Sequence, residues 1–138
     1  DRQRSLPLRR LAPLLDLRGA SIVSLQAELR DGDAALLQRH PGVTLLGDRL
    51  HDFADTAAVM SLLDLVVSVD TAAAHLAGAL GRPLFLLLPF SAEWRWLRGR
   101  EDSPWYPTAR LFRQPAPGDW DDVAARVAAE AARLRADD

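Results

Sequence analysis

The sequence predicts an α/β fold, a Rossmann-like, mainly parallel sheet with helices on both faces, in a single domain over residues 1–138. Three observations carry the prediction. Strand-like and helix-like segments alternate along the whole chain, the pattern of successive β-α units. Two of the runs, 65–69 and 84–88, are apolar apart from Ser68, as buried strands are. Helix-like segments are bounded by Asp, Thr, Gly and Pro where those residues cap or stop helices.

Taken in order, 6–17 carries Leu8, Leu11, Leu14 and Leu15 at helical spacing, with Pro7 in the first turn and Gly19 after the end. A short strand is expected over 22–25. A helix over 33–38 cannot pass far beyond His40-Pro41, because the residue before proline is pushed out of the helical region. The next strand is 43–46. Asp55-Thr56 is read as the cap of a helix whose apolar positions are Ala58, Val59, Leu62 and Leu63. The strand 65–69 follows, then a helix over 71–80 that stops at Gly81 with Pro83 just beyond. After the strand 84–88, no period holds over 89–108, a long connection that is either a functional loop or an ordered flap. Leu111 and Phe112 read as a short edge strand. The last helix opens at Asp119, with Trp120, Val123, Ala124, Val127, Ala128, Ala131 and Leu134 as its buried stripe and Arg126, Glu130, Arg133 and Arg135 as a solvated face.

Composition narrows the chemistry. The chain has no cysteine, so disulfides, thiolate metal sites and a cysteine nucleophile are excluded, and a reducing, cytoplasmic setting is expected. All 17 basic residues are arginine, which excludes a P-loop lysine and a Schiff base. The formal charge of −2 is spread without a basic tract, so nucleic acid is not an expected partner. No apolar run is long enough for a membrane span, so a soluble protein is expected. The three histidines lack metal-ligand spacing, and no metal is expected. The only methionine is Met60, so the chain reads as a fragment of a longer protein.

The turn after the third strand carries most of the chemistry. A β-branched run ends at Asp70-Thr71 and an alanine-rich helix begins there, which presents free backbone N–H groups and a hydroxyl at one point, a setting for a phosphate. Thr71 and His75 are four apart and share a helical face. Alternatively, Asp70 is merely a cap and His75 a core histidine bonded to a backbone carbonyl. The 89–107 segment contains Trp94, Arg95, Trp96, Trp105 and Tyr106. Its aromatic faces can pack on sugar or base rings and its arginines can pair with phosphate, or the aromatic side chains simply pin the loop. Around Asp52 and Phe53, the stretch 51–56 either touches a nucleobase or fixes the following helix.

Together, Asp-Phe-Ala-Asp-Thr-Ala (52–57), Ser-Val-Asp-Thr-Ala-Ala-Ala-His-Leu-Ala-Gly-Ala-Leu-Gly-Arg-Pro (68–83), Leu-Pro-Phe-Ser-Ala-Glu-Trp-Arg-Trp-Leu (88–97) and Arg-Glu-Asp-Ser-Pro-Trp-Tyr-Pro-Thr-Ala-Arg-Leu-Phe-Arg-Gln (100–114) resemble one family. It is the C-terminal half of bacterial glycosyltransferase-like proteins with N-terminal tetratricopeptide repeats. These are similar to the heptosyltransferase family and, more distantly, to O-linked N-acetylglucosamine transferase. The resemblance implies the C-terminal half of a GT-B fold, which holds a nucleotide diphosphate-sugar while the N-terminal domain holds the acceptor. Asp70, Thr71, Ala72 and His75 match the diphosphate-binding turn. Gln26 matches a polar position after the relatives' second strand, where they continue with lysine and glycine and this chain has Ala27 and Glu28.

The resemblance also implies a departure. Relatives have a strand and a glycine-containing loop immediately before the stretch that matches Asp1 to Leu8. That first strand, in the middle of a Rossmann sheet, is missing here and would leave two strand edges unpaired. The expectation is that the sheet closes by direct strand pairing, or that another chain fills the gap, as in a homo-oligomer. The reading is therefore the donor-binding half of a metal-independent glycosyltransferase, with no cofactor besides the donor substrate, no nameable catalytic base and no turnover as an isolated fragment. The alternative is a non-catalytic nucleotide-sensing or protein-interaction module of a tetratricopeptide-repeat protein. No G-x-G-x-x-G follows a strand, which argues against a dinucleotide enzyme.

Overall fold

A computed structural model describes residues 6, 8–26, 32–69, 71–91, 102 and 106–136. The first helical segment is split into a 3₁₀ turn, Leu8–Leu11, and α1, Ala12–Leu15. Pro13 accounts for the split: it lacks an N–H and is tolerated only in the first turn, so the α-helix restarts at Ala12. Strand β1 (Val23–Ser24), helix α2 (Asp33–Gln38), strand β2 (Thr44–Leu45) and a 3₁₀ turn (Gly47–Arg49) follow. Helix α3 is Phe53–Met60, β3 is Val66–Val69, α4 is Ala72–Ala79, β4 is Leu84–Leu88, β5 is Ala109–Arg113 and α5 is Trp120–Ala136.

Several expected boundaries move for local reasons. Asp52, not Asp55-Thr56, caps α3, its carboxylate accepting from the Asp55 N–H at 2.9 Å. The helix then ends at Met60, so the 3.6-residue period no longer governs Leu62, which is 85% exposed. Helix α4 ends as expected at Gly81: its φ of 69° is the left-handed conformation that glycine adopts freely. There Arg82 N–H donates to Ala77 O and Gly81 N–H to Gly78 O, satisfying the last carbonyls. The edge strand β5 is five residues long, and Asp119 caps α5 through Asp122 N–H.

All strand pairing within the two sheets is parallel. One sheet is β1-β2 and the other is β3-β4-β5. β4 is central in the larger sheet and every residue of it is buried, which its Leu-Phe-Leu-Leu-Leu sequence requires. On one face, Val66, Leu84, Leu86, Leu88, Ala109 and Leu111 pack with Met60 of α3 and Ala74 and Ala77 of α4. On the other, Phe85, Leu87 and Phe112 pack with Trp120, Val123 and Val127 of α5, joined by Leu11, Leu14 and Leu17 beside them. Helices thus cover both faces, the α/β arrangement of half a GT-B fold. Leu134 leaves the predicted stripe: α5 spans about 25 Å and a five-residue strand about 17 Å, so its last turn overhangs the sheet.

The expected closure of the sheet by direct pairing does not occur among the described residues. β1 bonds only to β2, and β3 only to β4. Accordingly, β3 is less covered than β4, with Val67, Ser68 and Val69 only half-buried. The polar face of α5 is more than a solvated surface. Glu130 accepts from Arg110 on β5 and from Arg133, and these two guanidinium groups, Arg133 first, hold its carboxyl down at about 2. Arg126 pairs with Asp122 and donates to Arg113 O, tying helix to strand.

Candidate functional site

In a parallel sheet the carboxyl ends of all strands open on one side, where ligands of α/β proteins bind. Thr71, Phe90 and Gln114 lie there, after β3, β4 and β5. Thr71 is the N-cap of α4. It is extended (φ −138°, ψ 173°), and its Oγ1 accepts from Ala74 N–H at 3.3 Å. Ser68 Oγ donates to Val69 O at 2.8 Å and stands 3.2 Å from Thr71 Oγ1. Since Ser68 has spent its single proton on the carbonyl, Thr71 is the donor in that pair. The hydroxyl expected to face an anion is thus held in a local chain running Thr71, Ser68, Val69 carbonyl.

What the turn offers a ligand is backbone. Ala74 N–H is capped, whereas the N–H groups of Ala72 and Ala73, the first two of α4, have no acceptor among the described residues. They lie at the positive end of the helix dipole, and Thr71 and Ala72 are exposed. An anion seated on them would take two N–H bonds without displacing the cap.

His75 lies one turn along α4 from Thr71. Its Nδ1 is 3.0 Å from the Tyr106 hydroxyl, the two rings meeting edge to face with centroids 5.7 Å apart. Gly78 makes this approach possible: a Cβ there would lie 2.5 Å from Tyr106 Cγ. Tyr106 is the last residue of the tryptophan-rich stretch, so one end of that stretch is anchored on the helix whose N-terminus is the candidate anion seat.

Gln114 was not marked by the sequence as a site residue. It is 2% exposed, and its Oε1 accepts from Phe90 N–H at 2.9 Å and from Gly118 N–H at 3.2 Å. One amide thereby joins the loop leaving β4 to the turn before α5. The only local signal is a glutamine directly after a strand and three residues before the Pro117-Gly118 turn.

The remaining predicted residues are not drawn together. Gln26, after β1, is exposed, its N–H 3.4 Å from Ser24 Oγ. Asp52 caps α3 and the Asp55 carboxylate accepts from His51 N–H at 2.9 Å, contacts that fix the start of the helix. Phe53, beside it, is 63% exposed. Asp70, Trp94 and Arg95 lie outside the described residues. Among the described residues no group of three His, Asp or Glu stands close enough to hold a metal ion, and no helix is long and apolar enough to cross a membrane.

Comparison with known proteins supplies what geometry cannot. The profile of glycosyltransferase family 9 (heptosyltransferase) matches residues 24–98, from β1 through α4 and β4 into the tryptophan-rich stretch. Protein FlbA of Caulobacter vibrioides is 35% identical over 121 residues, covering 84% of this chain and 20% of FlbA, so the chain spans about a fifth of that relative's length. No solved structure matches. With more than half its length inside the matched region, the chain belongs to glycosyltransferase family 9, the heptosyltransferase family.

Proposed function

We propose that this domain binds the nucleoside diphosphate-sugar donor of a glycosyltransferase and holds its diphosphate at the N-terminus of α4. The carrying observation is the pair of N–H groups of Ala72 and Ala73, without an acceptor among the described residues, on a capped helix at the carboxyl end of β3 and inside the region that matches the family. Transfer of a sugar leaves negative charge on the departing diphosphate, and preorganised N–H donors stabilise that charge as it forms. Thr71 keeps the seat in shape through its bonds to Ala74 and Ser68, and His75 holds Tyr106 beside it. Asp70, before Thr71, and Trp94 and Arg95, in the adjoining stretch, complete the proposed donor site. Gln26, Asp52 and Phe53 are further candidates for contact with the base or sugar, on the family resemblance alone. Acceptor binding and the general base belong to the opposing half of the parent protein, so the 138-residue chain binds donor without turning it over.

Calorimetric titration of the parent protein with UDP-, GDP- and ADP-sugars tests this, using Thr71→Asp and Thr71→Ser. Both variants retain a side-chain cap. Aspartate also sets a negative charge against the diphosphate, so binding should fall at least about tenfold in Thr71→Asp and stay near wild type in Thr71→Ser. Undiminished binding in Thr71→Asp places the diphosphate elsewhere, and no binding of any of the three nucleotides rejects the donor role.

A further inference from the structure

We infer that Tyr106 is a positioning residue for the candidate site: its hydroxyl donates to His75 Nδ1, which keeps the imidazole proton on Nε2 and makes Nε2–H a donor to the diphosphate. Nε2–H as a ligand donor rests on the proposed donor role, whereas the tautomer follows from the contacts of the two rings.

Tyr106 lies along α4. The root of its ring is against Gly78, so close that a Cβ there would meet Cγ at 2.5 Å, and its hydroxyl reaches His75 Nδ1 at 3.0 Å. These helix positions are three residues apart, about 4.5 Å along the axis, close to the length of a phenol. The ring therefore runs from Gly78 toward the N-terminus of the helix. Its root is held, because Tyr106 is half-buried and packs on the core formed by α3, α4 and the larger sheet. The imidazole meets it edge to face, at an interplanar angle of 64°, an arrangement that aromatic pairs favour.

A phenol and a neutral imidazole can each donate or accept, so the direction of the bond follows from their acid strengths. The phenol is the stronger acid and the imidazole nitrogen the stronger base, which favours O–H donating to Nδ1. With Nδ1 accepting, the single ring proton lies on Nε2. The two ring nitrogens direct their bonds to nearly opposite sides, so Nε2–H is turned away from Tyr106.

Side chains of an α-helix lean toward its N-terminus, and His75, the fourth residue of α4, therefore covers the turn of Ala72 to Ala74. That turn carries the N–H groups of Ala72 and Ala73. In the Nε2–H tautomer the imidazole adds a third donor to those two. In the opposite tautomer Nε2 would present a lone pair, which repels a phosphate oxygen. Tyr106 thus decides whether His75 attracts or opposes the diphosphate, and Gly78 is the space that lets it do so.

The test uses Tyr106→Phe, which keeps the ring on Gly78 and removes only the hydroxyl, in the parent protein with His75 intact and in a His75→Ala background. Calorimetry measures binding of UDP, GDP and ADP. Imidazole nitrogen spectra of protein labelled at histidine, taken at about pH 8, above the ordinary pKa of histidine, show which nitrogen carries the proton. The His75 signals are those lost in His75→Ala.

Nδ1 should be bare and Nε2 protonated when Tyr106 is present. Without the hydroxyl the imidazole samples other staggered rotamers, and affinity should fall by the fraction lost, about three- to tenfold. In the His75→Ala background the same substitution should change affinity by less than about twofold. A proton on Nδ1 of the unaltered protein overturns the inference. So does an equal loss in both backgrounds, which makes Tyr106 a support of the helix, and so does no loss in either. Binding of none of the three nucleotides by the unaltered protein defeats the donor reading and the ligand role of Nε2–H with it, while the imidazole spectra still decide the tautomer.

Discussion

Substituting alanine for Gly78 normally strengthens a helix, here by up to about 1 kcal/mol. In this protein the sign should reverse. The added Cβ would meet Tyr106 Cγ at 2.5 Å and Cδ1 and Cδ2 at 2.7 Å, where ordinary contact begins near 3.4 Å. Those atoms are at the root of a ring whose far end is fixed by His75, so the ring must move by roughly 1 Å as a body. Overpacking of this kind costs about 1–3 kcal/mol, and losing the His75–Tyr106 hydrogen bond about 0.5–1.5 kcal/mol more. Against the gain in propensity, Gly78→Ala should destabilise by roughly 0.5–3.5 kcal/mol. In a Tyr106→Ala background the obstacle is gone, and the same substitution should stabilise by up to about 1 kcal/mol. Urea denaturation of the four proteins of this cycle, followed by circular dichroism, measures both effects. Stabilisation by Gly78→Ala in the otherwise unaltered protein, or an equal effect in the two backgrounds, refutes the packing of Tyr106 on α4.

Two further outcomes are expected. His40 donates toward Leu36 O at 3.0 Å and Asp16 Oδ1 at 2.8 Å, contacts that raise its pKa above 6.5. A raised folded value means that the stabilisation is fully present below the unfolded pKa and disappears as pH rises through the folded one. The urea midpoint of the unaltered protein should therefore drop more between about pH 5 and about pH 9 than that of His40→Gln, and equal drops contradict the assignment. Asp52→Ala should cost about 0.5–2 kcal/mol by removing the α3 cap while Asp52→Asn stays within a few tenths, a contrast that thermal unfolding resolves.

The sequence made legible whatever is local. Leu84–Leu88 could only be a buried strand, and Gly81 with Pro83 could only end a helix. The Asp70-Thr71 junction announced a strand-to-helix turn. Competing local signals shifted details: Asp52 and Asp55 are both good caps, and the periodicity of Leu62 and Leu63 drew the helix past its real end. Nothing local showed that His75 would meet a tyrosine 31 residues away, that Gly78 is there for that tyrosine, or that Gln114 would join two loops. The Thr71 hydroxyl looked like a ligand donor because its use depends on where Ser68 points, which only the folded turn decides. The separation of the two sheets is also a long-range outcome, since it depends on which strands meet rather than on what each strand is made of.

A diphosphate seated on the first turn of α4 would shield the amides of that turn from exchange. Amide exchange of the parent protein with and without saturating nucleoside diphosphate addresses it directly. Exchange should slow at Ala72 and Ala73, with β4 unchanged. Slowed exchange confined to the start of α3, around Phe53 and Ala54, or none anywhere, would contradict it.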